Sequence, residues 1–174
     1  MLLASNIVLL RANRRLAAAR DEFQAKIELQ KGARLSALTA KTFDDKDATV
    51  SFGRDERRTL ILIYSPACVF CEENWPNWDR IVAAIKGDKV RLVAVDLSNL
   101  TQPDYAAAHK LDRFLLLRHP APQTILDYRL RSTPQTILAD SSGKVELSRV
   151  GLLENRDVAE ILSALRSNQE EARR

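Results

Sequence analysis

Two stretches of this chain, Thr59 to Tyr64 and Val90 to Val95, are apolar at nearly every position over the length of a strand. Runs of that kind belong to strands buried on both faces. Ser65-Pro66-Ala67 closes the first run, and Cys68 to about Ile85 then reads as a helix ending near Gly87. Strand, helix, strand predicts a parallel βαβ unit. Upstream, Leu35 to Phe52 alternates loosely around Asp44 to Ala48, as a β-hairpin does. Downstream, Pro103 opens a helix to about Lys110, and Phe114 to Leu117 is a short strand. Strands Thr136 to Ala139 and Lys144 to Val150 then flank a turn at Asp140 to Gly143. A last helix, from Asn155 to about Arg166, places Val158, Ile161, Leu162 and Leu165 on one face.

Before the hairpin, Leu9, Ala12, Leu16, Ala19 and Phe23 recur at alternating spacings of three and four, which is a helical stripe. Lys31-Gly32-Ala33 reads as its end and as a domain boundary. The expected division is an N-terminal helical segment (1–31), a main domain (32–168) and a polar C-terminal tail (169–174). One pentapeptide, Pro122 to Leu126, recurs as Pro134 to Leu138, but Asp127-Tyr128-Arg129 follows the first copy and Ala139-Asp140-Ser141 the second. No wider period supports a repeat architecture.

At 174 residues, 45% apolar and 29% charged, the chain can build its own core without disulfide staples. Its net charge of +4 lies entirely within residues 11–34, where seven basic side chains face Asp21, Glu22 and Glu28. The remainder is neutral, which excludes a basic nucleic-acid surface on the main domain. Residues 1–10 are mostly apolar but about half the length of a membrane span, with basic residues after the run instead of before it. They read as the stub of a membrane anchor whose start lies outside this chain, or as a short interfacial helix.

Cys68 and Cys71 are spaced C-x-x-C where a buried strand meets a helix. Free amides and the helix dipole at such an N-terminus favour an anion, so the first cysteine is expected to be a stabilised thiolate. The second lies close enough to close a disulfide with it. Half a zinc site has the same spacing, but zinc would need two more ligands, and His109 and His119 are ten apart, unlike a usual ligand pair. No metal is expected, and both histidines read as surface residues. A purely structural disulfide would restrain little chain entropy across so short a loop.

The pattern LILIYSPACVFCEENWP resembles the active-site strand and kinked helix of thioredoxin-fold proteins, and STPQTILADSSGKVELSRVG resembles their second half. The hairpin and the long interval between Cys68 and Pro134 are similar to the TlpA/ResA-like branch. The resemblance covers about residues 32–168 and implies an α/β fold: a central mixed β-sheet flanked by helices, with the hairpin and the N-terminal helix as extensions. It implies Cys68 as the attacking cysteine, Cys71 as the resolving one, Pro134 as a cis-proline and Thr133 as the residue whose backbone holds substrate. Pro76 matches the helix-kinking proline. Pro66 closes the active-site strand, and Trp75 and Trp78 read as core or groove-lining. The second pentapeptide then enters a central strand and the first a short helix.

Three departures matter. Leu62 stands where thioredoxin has a buried acid, Asn74 where the TlpA/ResA-like branch often has glutamate, and Ala67 where a tryptophan is common. Glu72 or Glu73 remains to accept the Cys71 proton through water, the alternative being plain solvated carboxylates in a helix's first turn. The function implied is a thiol-disulfide oxidoreductase exchanging with protein thiols and disulfides, without metal or organic cofactor, on the extracytoplasmic side of a bacterial cell envelope and tethered to the membrane. The rival readings are a redox-inactive binding module that uses the groove beside Pro134, and a cytoplasmic peroxide-linked reductase.

Overall fold

Strand β3 (Arg58–Tyr64) is the axis of the molecule, and all seven of its residues are buried. It pairs in parallel with β4 (Val90–Asp96), and the crossover between them is helix α2 (Val69–Ala83), the βαβ unit that the two apolar runs predict. Before this unit lie helix α1 (Leu2–Ile27) and the hairpin of β1 (Leu38–Thr42) and β2 (Asp47–Val50). After it come α3 (Pro103–Ala108), β5 (Leu115–Arg118), α4 (Pro122–Asp127), β6 (Gln135–Ala139), β7 (Val145–Val150) and α5 (Asn155–Glu171). The computed structural model describes residues 2–171. One mixed sheet holds the strands in the order β2-β1-β5-β4-β3-β6-β7, with β3, β4 and β5 parallel and the other pairings antiparallel.

Because side chains alternate along a strand, β3 feeds two cores. Leu60, Leu62 and Tyr64 pack with Cys71, Trp75, Trp78 and Ile81 of α2 and with Val158, Ile161 and Leu165 of α5. Ile61 and Ile63 face the other side, against Leu38, Val93, Val95, Leu117, Tyr128 and Ile137. The two copies of the pentapeptide diverge as expected: Pro122 to Leu126 lies in α4, and Gln135 to Leu138 lies in β6. Proline at the first turn of α4 costs no hydrogen bond there, whereas Pro134 stands just before its strand, where no ladder donor is lost.

Residues 28 to 31, expected to belong to the N-terminal segment, touch the main domain. Leu29 is buried in the second core, its amide donates to Ser148 Oγ at 3.3 Å, and the Val150 amide donates to Glu28 Oε1 at 3.1 Å. Gly32, Ala33 and Leu35 then pair along β7 and its turn through backbone bonds of 2.8 Å. Gly32 ends no helix; it begins an edge pairing, and α1 has already stopped at Ile27. On α1 itself Leu9, Ala12, Leu16 and Ala19 are exposed, while the side chain of Phe23 lies outside the described residues. Among the described residues no helix is long and apolar enough to cross a membrane; Met1 and the side chains of residues 2–5, part of the expected anchor stub, lie outside them. The last helix runs past Arg166 to Glu171, since nothing from Ser167 onward breaks it, so the expected tail begins as helix. Its end, 172–174, lies outside the described residues.

Two outcomes check this packing. A chain starting at residue 26 should unfold at the same denaturant concentration as the full chain, and one starting at residue 32 should lose about 1.5–3 kcal/mol through the missing Leu29 side chain. Equal stability of the two would support the boundary at 31–32. Gly143→Ala should cost more than about 1 kcal/mol by thermal unfolding, since a side chain strains a positive φ; Gly143 has φ +83, and a Cβ there would stand 2.8 Å from the Phe52 ring.

Candidate active site

The end of β3 and the start of α2 form a tight turn in which the Cys68 amide donates to the Ser65 carbonyl at 3.1 Å and the Ala67 amide to Ser65 Oγ at 3.2 Å. Cys68 is the N-cap of α2, with extended backbone and no side-chain capping bond. A helix start leaves backbone N–H groups short of partners, and here the Phe70 and Cys71 amides act on the Cys68 sulfur. Both cysteines are free thiols, Cys68 half-buried and Cys71 buried in the first core. Thr133 faces them from the loop before β6, and the Cys68 thiol donates to its carbonyl at 3.5 Å. The Thr133–Pro134 bond is the cis peptide, and Pro134 leads directly into β6. Trp78 Nε1 donates to Thr136 Oγ1 at 2.8 Å, which fixes the helix that carries the cysteines against the strand that follows Pro134.

The same two atoms of sulfur thus meet opposite environments. Partial burial opposes ionisation of Cys68, but hydrogen bonds from the Thr133 and Cys71 side chains and from the Cys71 and Phe70 amides outweigh it, so its pKa falls below the ordinary thiol value. Burial pushes Cys71 up to about 12, and the bond it shares with Cys68 adds to the rise. One thiol is ready to be a nucleophile and the other holds its proton. Between them, Val69 and Phe70 stand 62% and 56% exposed, an apolar tip beside the reactive sulfur.

Leu62 and Asn74, at the positions where acids are usual, both serve the fold. Leu62 is fully buried in the core that also holds Cys71. Asn74, also fully buried, is a structural tie: its Oδ1 accepts from the Leu153 amide at 3.0 Å and from Asn77 Nδ2 at 3.3 Å, joining α2 to the loop before α5. Pro76 lies inside α2. Pro66 sits in the turn between Tyr64 and Cys68, and Trp75 is buried, its Nε1 donating to Tyr105 Oη at 2.9 Å. Glu73 is exposed.

Glu72 has more company than a solvated carboxylate. Its Oε1 accepts from Tyr105 Oη at 2.7 Å, and His109 Nε2 lies 3.3 Å from its Oε2. His109 is therefore not the surface residue its sequence context implies: it stacks on Trp75 with ring centroids 4.4 Å apart. His119 is exposed, as read. Among the described residues no three His, Cys, Asp or Glu side chains converge as metal ligands. Tyr105 and His109 escaped the sequence reading, although four-residue spacing at a helix puts them on one side. Asp96 escaped it too. Its carboxylate accepts from the Ser98, Asn99 and Thr101 amides and from the Ser98 and Thr101 hydroxyls, folding the loop that aims α3 at α2. The run Asp96-Leu97-Ser98-Asn99 is a turn signal of that kind.

No family model matches the chain. A curated relative, the sporulation thiol-disulfide oxidoreductase A of Bacillus subtilis (strain 168), is 24% identical over 132 residues, which is 73% of this chain and 78% of the relative. Among solved structures, a thiol:disulfide interchange protein DsbE from Chlorobium tepidum, itself described as putative, matches with TM-score 0.60 and 20% identity over 79% of this chain and 98% of that one. A peroxiredoxin-like protein from Aquifex aeolicus matches with TM-score 0.62 and 16% identity over 79% and 88%. This chain is a thioredoxin-fold protein. Its fold explains why the C-x-x-C and the cis-proline, 66 residues apart from Cys68 to Pro134, meet at one end of the sheet's central strands: β3 and β6 are antiparallel neighbours, so the end of one lies beside the start of the other.

The tie through Asn74 can be tested in this thioredoxin-fold protein by Asn74→Ala, which leaves the buried Leu153 amide without an acceptor. It should cost about 1–3 kcal/mol in denaturant unfolding. A change under about 0.5 kcal/mol, the scale of an inconsequential surface substitution, would show that the amide holds nothing.

Proposed function

We propose that this protein is a thiol-disulfide oxidoreductase that cycles Cys68 and Cys71 between dithiol and disulfide and exchanges with protein partners. The observation that carries this reading is the polarised pair: a half-buried Cys68 with lowered pKa at a helix N-terminus, and a buried Cys71 pushed up to about 12 directly behind it. The Cys68 thiolate attacks one sulfur of a substrate disulfide, a mixed disulfide forms, and the other substrate sulfur leaves with the bonding electron pair. Cys71 then attacks Cys68 Sγ, closing the internal disulfide and releasing the second substrate sulfur. Substrate gains two electrons, and the cysteine pair loses them.

Thr133 and Pro134 hold the substrate chain in this reading. The Thr133 carbonyl already touches Cys68 Sγ, so an extended segment lying beside it comes within reach of the reactive sulfur. Val69 and Phe70 offer a protein partner apolar contact on either side of that approach. Its site of action in this reading is the extracytoplasmic side of a cell envelope, where structural disulfides form and persist. The described relative is itself named an oxidoreductase, in support of the same class. The helical segment up to Ile27, with its basic residues and exposed leucines, serves as the tether to the membrane, and the redox domain extends from about residue 28 to residue 168.

The reading is checked by trapping. Cys71→Ser should accumulate a stable mixed disulfide at Cys68 with a model disulfide peptide, seen by intact-mass measurement, and Cys68→Ser should trap at least about tenfold less. Trapping mainly in the second variant reverses the two roles. If neither variant captures a disulfide, the groove beside Pro134 is that of a binding module.

A further inference from the structure

Gln135 is out of keeping with its strand. Every residue of β6 is buried, and a β-branched side chain would sit beside the paired Ile63 and Val150 with less polar surface to satisfy. Alternation turns Thr136 toward α2, where it meets Trp78, so Gln135 points with Ile137 into the second core. Gln135 is wholly enclosed there. Its Nε2 donates to the Tyr128 carbonyl at 3.2 Å, while its Oε1 meets no donor among the described residues. An amide buried at that cost supplies something that an apolar residue cannot.

What it supplies is the closure of a loop. Tyr128, seven positions earlier, ends α4 and is fixed by its own hydroxyl, which donates to the Ser36 carbonyl at 2.6 Å. From Tyr128 the chain runs out through Arg131 and Ser132, both exposed, and returns through Thr133 and Pro134. The closure continues around the outside. Gln135 pairs with Val150, whose amide donates to Glu28 Oε1 at 3.1 Å, and the Glu28 carbonyl accepts from Arg129 Nη1 at 2.7 Å. Arg129 Nη1 also donates to the Lys26 carbonyl at 3.1 Å, in the last turn of α1, where helix carbonyls lack partners. Glu28 thus holds the end of the loop with its side chain and the start with its main chain. The Gly151 amide, donating to the Pro134 carbonyl at 2.8 Å, braces the last residue before the strand. What this ring presents is the Thr133 carbonyl, 3.5 Å from Cys68 Sγ.

We propose that Gln135 is a positioning residue for substrate: with Arg129 and Glu28 it closes the loop that carries Thr133, and so fixes where a substrate chain lies beside Cys68. This rests on the oxidoreductase reading, with Thr133 holding substrate, and adds the side chains that hold Thr133. Gln135, Arg129 and Glu28 touch no reacting atom. Their effect falls on disulfides that arrive on a polypeptide, which lie along the Thr133 backbone. A small aromatic disulfide needs only the sulfur.

Single-turnover reaction of the reduced full chain with a peptide disulfide and with dithionitrobenzoate separates the two. Gln135→Met keeps the length of the side chain and removes the donor. It should raise the half-saturating peptide concentration about fivefold to tenfold, the worth of one hydrogen bond, and leave the maximal rate and the dithionitrobenzoate rate within about twofold of native. Arg129→Asn should shift the peptide several-fold in the same direction, because asparagine accepts the positive φ of this site, +51, but is too short to reach Glu28. A tie that serves stability alone would lower the unfolding temperature without separating peptide from reagent. Half-saturation within twofold of native in Gln135→Met, or an equal loss toward both disulfides, overturns the proposal and leaves the oxidoreductase reading standing. If Gln135→Met does not fold, Arg129→Asn decides by the same comparison, since Arg129 is exposed. Failure of the native protein to react with either disulfide would instead overturn the oxidoreductase reading, and this proposal with it.

Discussion

The structure depends on helix α2 beginning where strand β3 ends, with nothing but a cysteine to cap it. Unsatisfied amides at a helix start ordinarily find a serine, threonine or aspartate oxygen. Here Cys68 occupies that place, and the Thr133 carbonyl closes the other side of the sulfur. The helix therefore gains when the sulfur is charged. One turn further on, Cys71 has left the reach of those amides and entered the core with Leu62, Tyr64 and Trp75, where charge is costly. Two identical side chains three residues apart acquire pKa shifts of opposite sign because the helix has one exposed end and one buried flank.

The rest of the fold holds that junction in register. β3 pairs with β6 from Ile63↔Gln135 down to Thr59↔Ala139, so Pro134 is delivered to the level of the cysteines by the sheet itself. Trp78 bonds Thr136, and Asn74 bonds the Leu153 amide, so α2 is tied to β6 and to the loop before α5 by side chains one turn apart. On the opposite flank Asp96 gathers five donors and turns the chain into α3, whose Tyr105 reaches back to α2. Positions vacated by the usual acids are put to packing instead, and the polar contacts of α2 move to its outer edge.

Much of this was legible in the letters because it rests on local chemistry. Continuous apolar runs at Thr59 to Tyr64 and Val90 to Val95 have one physical use, and the C-x-x-C between them sits where a crossover helix must start. The two copies of the pentapeptide were separable by what surrounds them, since Asp127 and Tyr128 can continue a short helix and Asp140 to Gly143 can only turn. What stayed hidden was tertiary. His109 and Tyr105 look like polar residues of a short surface helix until α3 is laid against Trp75. Leu29 looks like the tail of an amphipathic helix until the backbone from Gly32 to Leu35 is paired along the edge at β7. Edge pairing by an irregular segment has no period, so nothing in the pattern announces it.

The helix N-terminus lowers the pKa of Cys68, and burial one turn further on raises that of Cys71. Titration of the reduced protein by NMR, with the cysteine β-carbons labelled, reads both sulfurs in the same sample. Cys68 should change signal at a pH below the ordinary thiol value of 9.0 while Cys71 stays unchanged until about pH 12. Titration of the two together near 9.0, or of Cys71 before Cys68, would contradict it.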